Sequence, residues 1–323
     1  MSRTDGAGSR SAADDWRAAT EESFDLAEGP VWDPIRQRLL WVDIRRGAVL
    51  VGELHDDWTI SIEDRVQTSG MVGAVAVSEQ GDWILAGERG ILIRSAAGRL
   101  VDGPTILADD SGRRLNDGKA DPGGRFVVGT LKIDESPTTT ERLVVVQPDG
   151  RLDDLDSDLS LSNGLGWSPS GSVLYSIDTV PRVVHARDYD ASTGTAGPRR
   201  VAIALEEGAN PDGMCVDADG QLWIAIWGRG EVRRYTPDGE LTRTISVPAP
   251  HTTCVTFAGP DLATMVITTA TKDLGDDELA EFPLSGRLFT VDAGVRGMPA
   301  TWWSGLPSAG LPSAGLPQAV LPG

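Results

Sequence analysis

Apolar residues in this chain fall in short runs rather than in helical stripes. Leu39–Val42, Ala74–Val77, Trp83–Ala86, Phe126–Val128, Leu143–Val146, Val173–Ile177, Leu222–Ile226 and Met265–Ile267 are examples, rich in β-branched and aromatic residues. They are separated by turn pairs such as Asp33-Pro34, Asp121-Pro122, Asp149-Gly150, Ser168-Pro169 and Asp238-Gly239. Short β-rich runs bounded by such residues read as strands. No segment holds a 3.6-residue apolar period over the length of a helix.

The strands recur with a long period. One phrase repeats: a polar residue near a Gly, an apolar strand, an Asp or Ser turn, and a second apolar strand. Aligned on the turn, its copies stand at Asp33, Ser78, Asp121, Ser168 and Asp217, with a degenerate sixth near Gly259-Pro260. Their spacing of about 43–49 residues is that of a four-stranded propeller blade. The second strand repeats too, as LLWVDI, DWILAG, RFVVGT, VLYSID, LWIAIW and TMVITT. Six units predict an all-β fold, a six-bladed β-propeller. A β-sandwich would place its strands every ~8–12 residues without this longer period.

The repeat also aligns polar chemistry. Five residues before each turn stand Glu28, Gly73, Asn116, Asn163, Asp212 and, in the degenerate copy, a position near Cys254. Taken singly, Asn-Gly and Asp-Gly pairs are ordinary turns. Taken together, equivalent positions of a propeller form a ring at one end of the central channel. The register places Glu28, Asn116, Asn163 and Asp212 just before the innermost strands. Carboxylates crowded there repel one another unless a cation lies between them. An oxygen-only shell suits Ca²⁺, Mg²⁺ or Mn²⁺, and Zn²⁺ also accepts oxygen ligands. Arg114 shares a strand face with Asn116. It is either a donor to substrate oxygens or a surface charge paired with Asp110 or Asp117.

Composition narrows the field. The chain has 323 residues and a formal charge of −19. That balance argues against nucleic acid and anionic membranes as partners. The first residues lack an apolar signal core and no long apolar span follows, so a cytoplasmic protein is expected. Cys215 and Cys254 sit in strand-like runs and read as buried thiols rather than a disulfide framework. Residues 1–18 read as a loose polar tail, with at most a short helix around Asp14–Thr20. Residues 19–303 form the propeller. Residues 304–323, with their repeated GLPSA, read as a flexible Pro-rich tail. No G-x-S-x-G elbow, H-E-x-x-H or Cys-x-x-Cys motif is present. His251 is either a loop histidine tuned by its neighbours or a residue bordering the channel mouth through the sixth blade.

Four phrases carry a resemblance: AEGPVWDP, RLNDGKADPGGRFVVGT, LSNGLGWSPSG with LYSIDT, and NPDGMCVDADGQLWIAIWGRGEVRRYTPDG. From about Phe24 to Asp292 the chain resembles the regucalcin (senescence marker protein)/gluconolactonase/luciferin-regenerating-enzyme family. The resemblance implies one divalent cation (Ca²⁺, Zn²⁺, Mn²⁺ or Mg²⁺) held by Glu28, Asn163 and Asp212. It implies substrate binding by Arg114 and Asn116, and by an acidic residue after the third-blade Gly-Thr, which counting places at Asp134. The loop after Asp134 departs from the family pattern. That loop, with those near Ser69–Gly73 and His251–Cys254, is expected to tune substrate choice. The implied reaction is metal-dependent hydrolysis of a sugar lactone, with Asp212 as both ligand and base, in a monomer or small homo-oligomer. Two alternatives stand beside it: a hydrolase of non-sugar lactones or phosphoesters on the same scaffold, and a non-enzymatic calcium-binding propeller.

Overall fold

The computed structural model describes residues 16–305 except Pro137. Residues 1–15 and 306–323, and with them most of both expected tails, lie outside the described residues. Six antiparallel sheets of four or five strands follow one another around a ring. Their inner strands are Ala27–Asp33, Val72–Val77, Arg113–Ala120, Ser162–Trp167, Asn210–Val216 and Thr252–Ala258. The second strands are Arg38–Asp43, Trp83–Gly87, Phe126–Lys132, Val173–Asp178, Leu222–Trp227 and Thr264–Thr269, the expected repeats. The fold is the six-bladed β-propeller that the period predicts.

Blade packing explains why those second strands read as unbroken apolar runs. Successive side chains of a strand point to opposite faces, and here both faces are covered. In the first blade, Leu39 and Trp41 pack towards the sixth blade with Ala258 and Val266. Leu40 and Val42 pack towards the second blade with Val75 and Leu85. The same division gives six apolar clusters, each shared by two neighbouring blades.

The turn residues of the repeat are structural. Asp33 accepts the backbone N–H groups of Ile35 and Arg36. Asp121 accepts the Arg125 N–H and guanidinium and the Tyr189 hydroxyl. Asp217 accepts the N–H groups of Asp219 and Gln221 and the Trp223 indole. Each carboxylate closes its own hairpin by satisfying buried donors.

The ends of the ring depart from the sequence reading in two places. Residues 16–18 are not tail, and no helix forms around Asp14–Thr20 among the described residues. Arg17–Ala18 is the outer strand of the sixth blade, with Arg17 opposite Thr290 and Ala18 opposite Phe289. Trp16 meets the Phe289 ring edge-on at 5.5 Å. Two residues of pairing carry no local periodic signal; the partner lies at the far end of the chain. The sixth blade also holds a one-turn-and-a-half helix, Asp276–Glu281, ahead of its third strand Phe289–Asp292. Past the blades, Met298–Ser304 crosses the underside of the ring: Trp303 N–H bonds Val77 O and Ser304 N–H bonds Gly124 O, each at 2.9 Å. Among the described residues, no helix is long and apolar enough to cross a membrane.

Candidate metal and substrate site

The polar register positions lie inside the inner strands, not before them. Every inner strand is bulged there: pairing with the second strand slips after Glu28, Val72, Leu115, Asn163, Pro211 and Thr252. A bulge bends its strand and re-aims a side chain. The glycines that follow Asn163 and Asp212 are therefore not hairpin turns. A Cβ on Gly164 would stand 2.7 Å from the Asp212 carbonyl oxygen, and one on Gly213 2.3 Å from the Cys254 sulfur. They allow neighbouring inner strands to approach at the channel.

Glu28, Arg114, Asn116, Asn163 and Asp212 line one cavity of about 220 Å³ at this end of the channel. All five are buried. A hydrogen-bond relay orders them. Arg114 Nη1 donates to Asn116 Oδ1 at 2.7 Å and to Leu115 O at 3.0 Å. Asn116 Nδ2 donates to Asn163 Oδ1 at 2.7 Å and to Ser162 O at 2.8 Å. Asn163 Nδ2 donates to Thr179 Oγ1, which donates to Pro211 O, both at 2.8 Å. The relay fixes both amides, so Asn163 keeps an oxygen lone pair for the cavity. Arg114 is neither a surface charge nor an ion-pair partner of Asp110 or Asp117. It is 7 % exposed and engaged with Asn116.

The electrostatics favour a cation. Burial holds the Glu28 carboxyl well above its usual range, and repulsion from Asp212 and Asp117 adds to this. Burial likewise raises Asp212, with Asp117 adding to it. Burial pushes Asp117 up to about 6, opposed by Lys119 and Arg114. Asp117 Oδ1 is buried without a hydrogen-bond partner. Glu28, Asp117 and Asp212 are thus three neighbouring buried carboxylates, with Arg114, Lys119 and Lys272 as the nearby cations. Burial lowers the pKa of Arg114, and the surrounding acids partly restore it. Among the described residues, no group of three or more His, Cys, Asp and Glu side chains is placed to hold a metal on its own. The fitting set mixes two carboxylates, Glu28 and Asp212, with the Asn163 amide oxygen. Such hard oxygen donors suit Ca²⁺, Mg²⁺ or Mn²⁺.

Asp134 does not join them. Its side chain is 69 % exposed, 4.0 Å from Lys132, and caps the Ser136 N–H at 3.0 Å. The chain turns at this point, with Glu135 N–H bonded to Lys132 O and Glu135 at a left-handed φ of 52°. That turn swings Glu135 into the cavity lining instead. Glu135 Oε1 accepts Lys272 Nζ at 2.7 Å, joining the third blade to the sixth across the mouth.

Sequence reasoning also passed over Trp227, Lys272 and Thr179, which all line the cavity. Lys272 Nζ stands 5.2 Å from the Trp227 ring. His251 stacks on the other ring partner: its imidazole lies 4.0 Å from Trp227, nearly parallel. It supports Trp227 rather than lining the cavity. Thr179, in LYSIDT, Asp117, in RLNDG, and Trp227, in LWIAIW, stood within the quoted phrases. Lys272 lies beyond the strand Thr264–Thr269, where no shared register marks it. Neither Ser69–Gly73 nor His251–Cys254 contributes to the lining. Cys254, at the sixth register position, is a buried free thiol, as is Cys215.

Residues 26–271 match the family model described as SMP-30/Gluconolactonase/LRE-like region. Regucalcin of Xenopus laevis is 34% identical over 297 residues, covering 88% of this chain and 96% of its own length. The human regucalcin is 33% identical, covering 86% and 94%. Among solved structures, a calcium-binding protein, regucalcin, from Agrobacterium tumefaciens superposes with a TM-score of 0.83 at 28% identity, covering 90% of this chain and 98% of that one. A luciferin-regenerating enzyme superposes with a TM-score of 0.78 at 26% identity, covering 86% and 95%. The family match includes Glu28, Arg114, Asn116, Asn163 and Asp212, and the chain belongs to the SMP-30/gluconolactonase/LRE-like family.

Proposed function

We propose that the protein is a divalent-metal-dependent lactonase that opens a sugar lactone to its aldonic acid. The observation that carries this reading is the single cavity shared by Glu28, Asn163, Asp212, Arg114 and Asn116, in a chain of this family. Glu28, Asn163 and Asp212 would hold the cation. Calcium is the first ion to test, because a structural relative is described as a calcium-binding protein. The cation, when bound, polarises the lactone carbonyl as a Lewis acid.

The chain's own residues supply the rest. Arg114 offers a buried guanidinium, with donors beyond those engaged by Asn116 and Leu115, to the oxygen that gains charge. Asn116 holds Arg114 on one side and Asn163 on the other. Asp212 takes the proton of the attacking water. The new C–O bond forms as the ring ester bond breaks, and the proton passes to the departing ring oxygen. Leu26, Ile44, Leu131 and Leu161 line the same cavity and limit bulk water.

The test is a panel of aldonolactones followed by a pH indicator, on metal-stripped protein with Ca²⁺, Zn²⁺, Mn²⁺ or Mg²⁺ restored. Metal-dependent turnover is expected. Turnover unaffected by stripping, or none on any aldonolactone with any of the four ions, would refute the reading.

A further inference from the structure

The channel has a second chamber at its far end, chemically unlike the first. All six inner strands run the same way along the channel. Early residues of the first, third, fourth and fifth inner strands line the metal-type cavity, and late residues of all six line this one. Its volume is about 240 Å³. Val31, Val75, Ala76, Val216, Phe257 and Met298 make most of its wall apolar. The crossing segment Met298–Thr301 forms one side, tied down where the Thr301 hydroxyl bonds Ala120 O.

Among the described residues, Lys119 is the single charged one of the lining. It lies three residues beyond Asn116 on the same inner strand, roughly 10 Å at the rise of an extended chain. Its ammonium donates to Met214 O at 3.0 Å, across from the third blade to the fifth. One bond leaves two of its three donors. Asp117 attracts it electrostatically, but among the described residues no carboxylate stands within ion-pair distance.

Apolar walls and one ammonium with two free donors describe a preference for a small anion with an apolar body. A cavity of about 150 Å³ admits benzene, so this one has space for one ring and a carboxylate. We propose that the chamber is a second ligand site, taking a small aromatic or branched aliphatic monocarboxylate anchored by Lys119. The site stands apart from the lactonase reading: it requires neither the cation nor the sugar.

The test is isothermal titration of the metal-free full-length protein with phenylacetate and with its neutral analogue phenylacetamide. Phenylacetate is expected to bind at least tenfold more tightly. Lys119→Met should erase that difference. Ala300→Phe, which fills the chamber from the crossing segment, should abolish binding while leaving the melting temperature and the lactonase turnover intact. Arg114→Ala should leave phenylacetate binding unchanged. The proposal is overturned if phenylacetate shows no binding at millimolar concentration, if binding survives Ala300→Phe, or if it is lost with Arg114→Ala and kept with Lys119→Met.

Discussion

Thr179 offers a sharp test of the candidate metal site because its hydroxyl orders the Asn163 amide. Its Oγ1 accepts Asn163 Nδ2 and donates to Pro211 O, both at 2.8 Å. Thr179→Val keeps the shape of the side chain and removes both bonds. Each such bond contributes about 1 kcal/mol, and a stranded polar partner costs about 1–3 kcal/mol. Without Thr179, nothing directs the Asn163 amide nitrogen away from the cavity except Asn116, which holds Asn163 Oδ1. A rotated amide would present N–H groups to a cation. Loss of an outer partner of a ligand typically costs about 10–100-fold in metal affinity, or about 1.4–2.7 kcal/mol. The expected outcome is a Ca²⁺ affinity weaker by that factor, measured by calorimetric titration of stripped protein. Thr179→Ser should restore most of it, and the melting temperature of the metal-free protein should change little. Equal Ca²⁺ affinity in wild type and Thr179→Val would refute the relay, as would a serine variant as weak as the valine one.

Other expectations follow from the same structure. Glu135→Ala should raise KM for the best lactone several-fold, whereas Asp134→Ala, on an exposed turn, should leave steady-state kinetics unchanged; the reverse result would return the substrate contact to Asp134. Asp212→Ala should abolish both calorimetric metal binding and turnover. Removing residues 1–18 deletes the outer strand of the sixth blade and uncovers Phe289, which is fully buried; calorimetry should show the melting temperature lowered by roughly 3 °C for a loss of about 2 kcal/mol at this chain length. Burial pushes the Cys215 thiol up to about 12 and also holds the Cys254 thiol well above its ordinary value. Neither should react with a disulfide reagent at pH 8 until urea unfolds the chain, when both should. Because the folded pKa is the higher one, the stability tied to Cys215 is fully present below the unfolded thiol pKa and is lost as pH rises towards about 12.

The sequence alone determined the ring and most of the site. Period and strand composition carried the blade count, because each blade is one local unit that repeats its own hairpin-closing turn, as Asp33, Asp121 and Asp217 do. Shared register brought out Glu28, Asn116, Asn163 and Asp212 for the same reason: equivalent positions in a cyclic repeat must meet at the axis. Tertiary structure decided what the repeat does not encode. Arg17–Ala18 closes the ring because its partner, Phe289–Asp292, lies at the other end of the chain, beyond any local signal. Glu135 replaces Asp134 in the cavity because one left-handed residue turns the loop by a step that counting from a motif does not register. Trp227 and Lys272 meet at the mouth from two different blades. Lys119, an ordinary charge in the sequence, became the one cation of an apolar chamber only when six strands had closed around it.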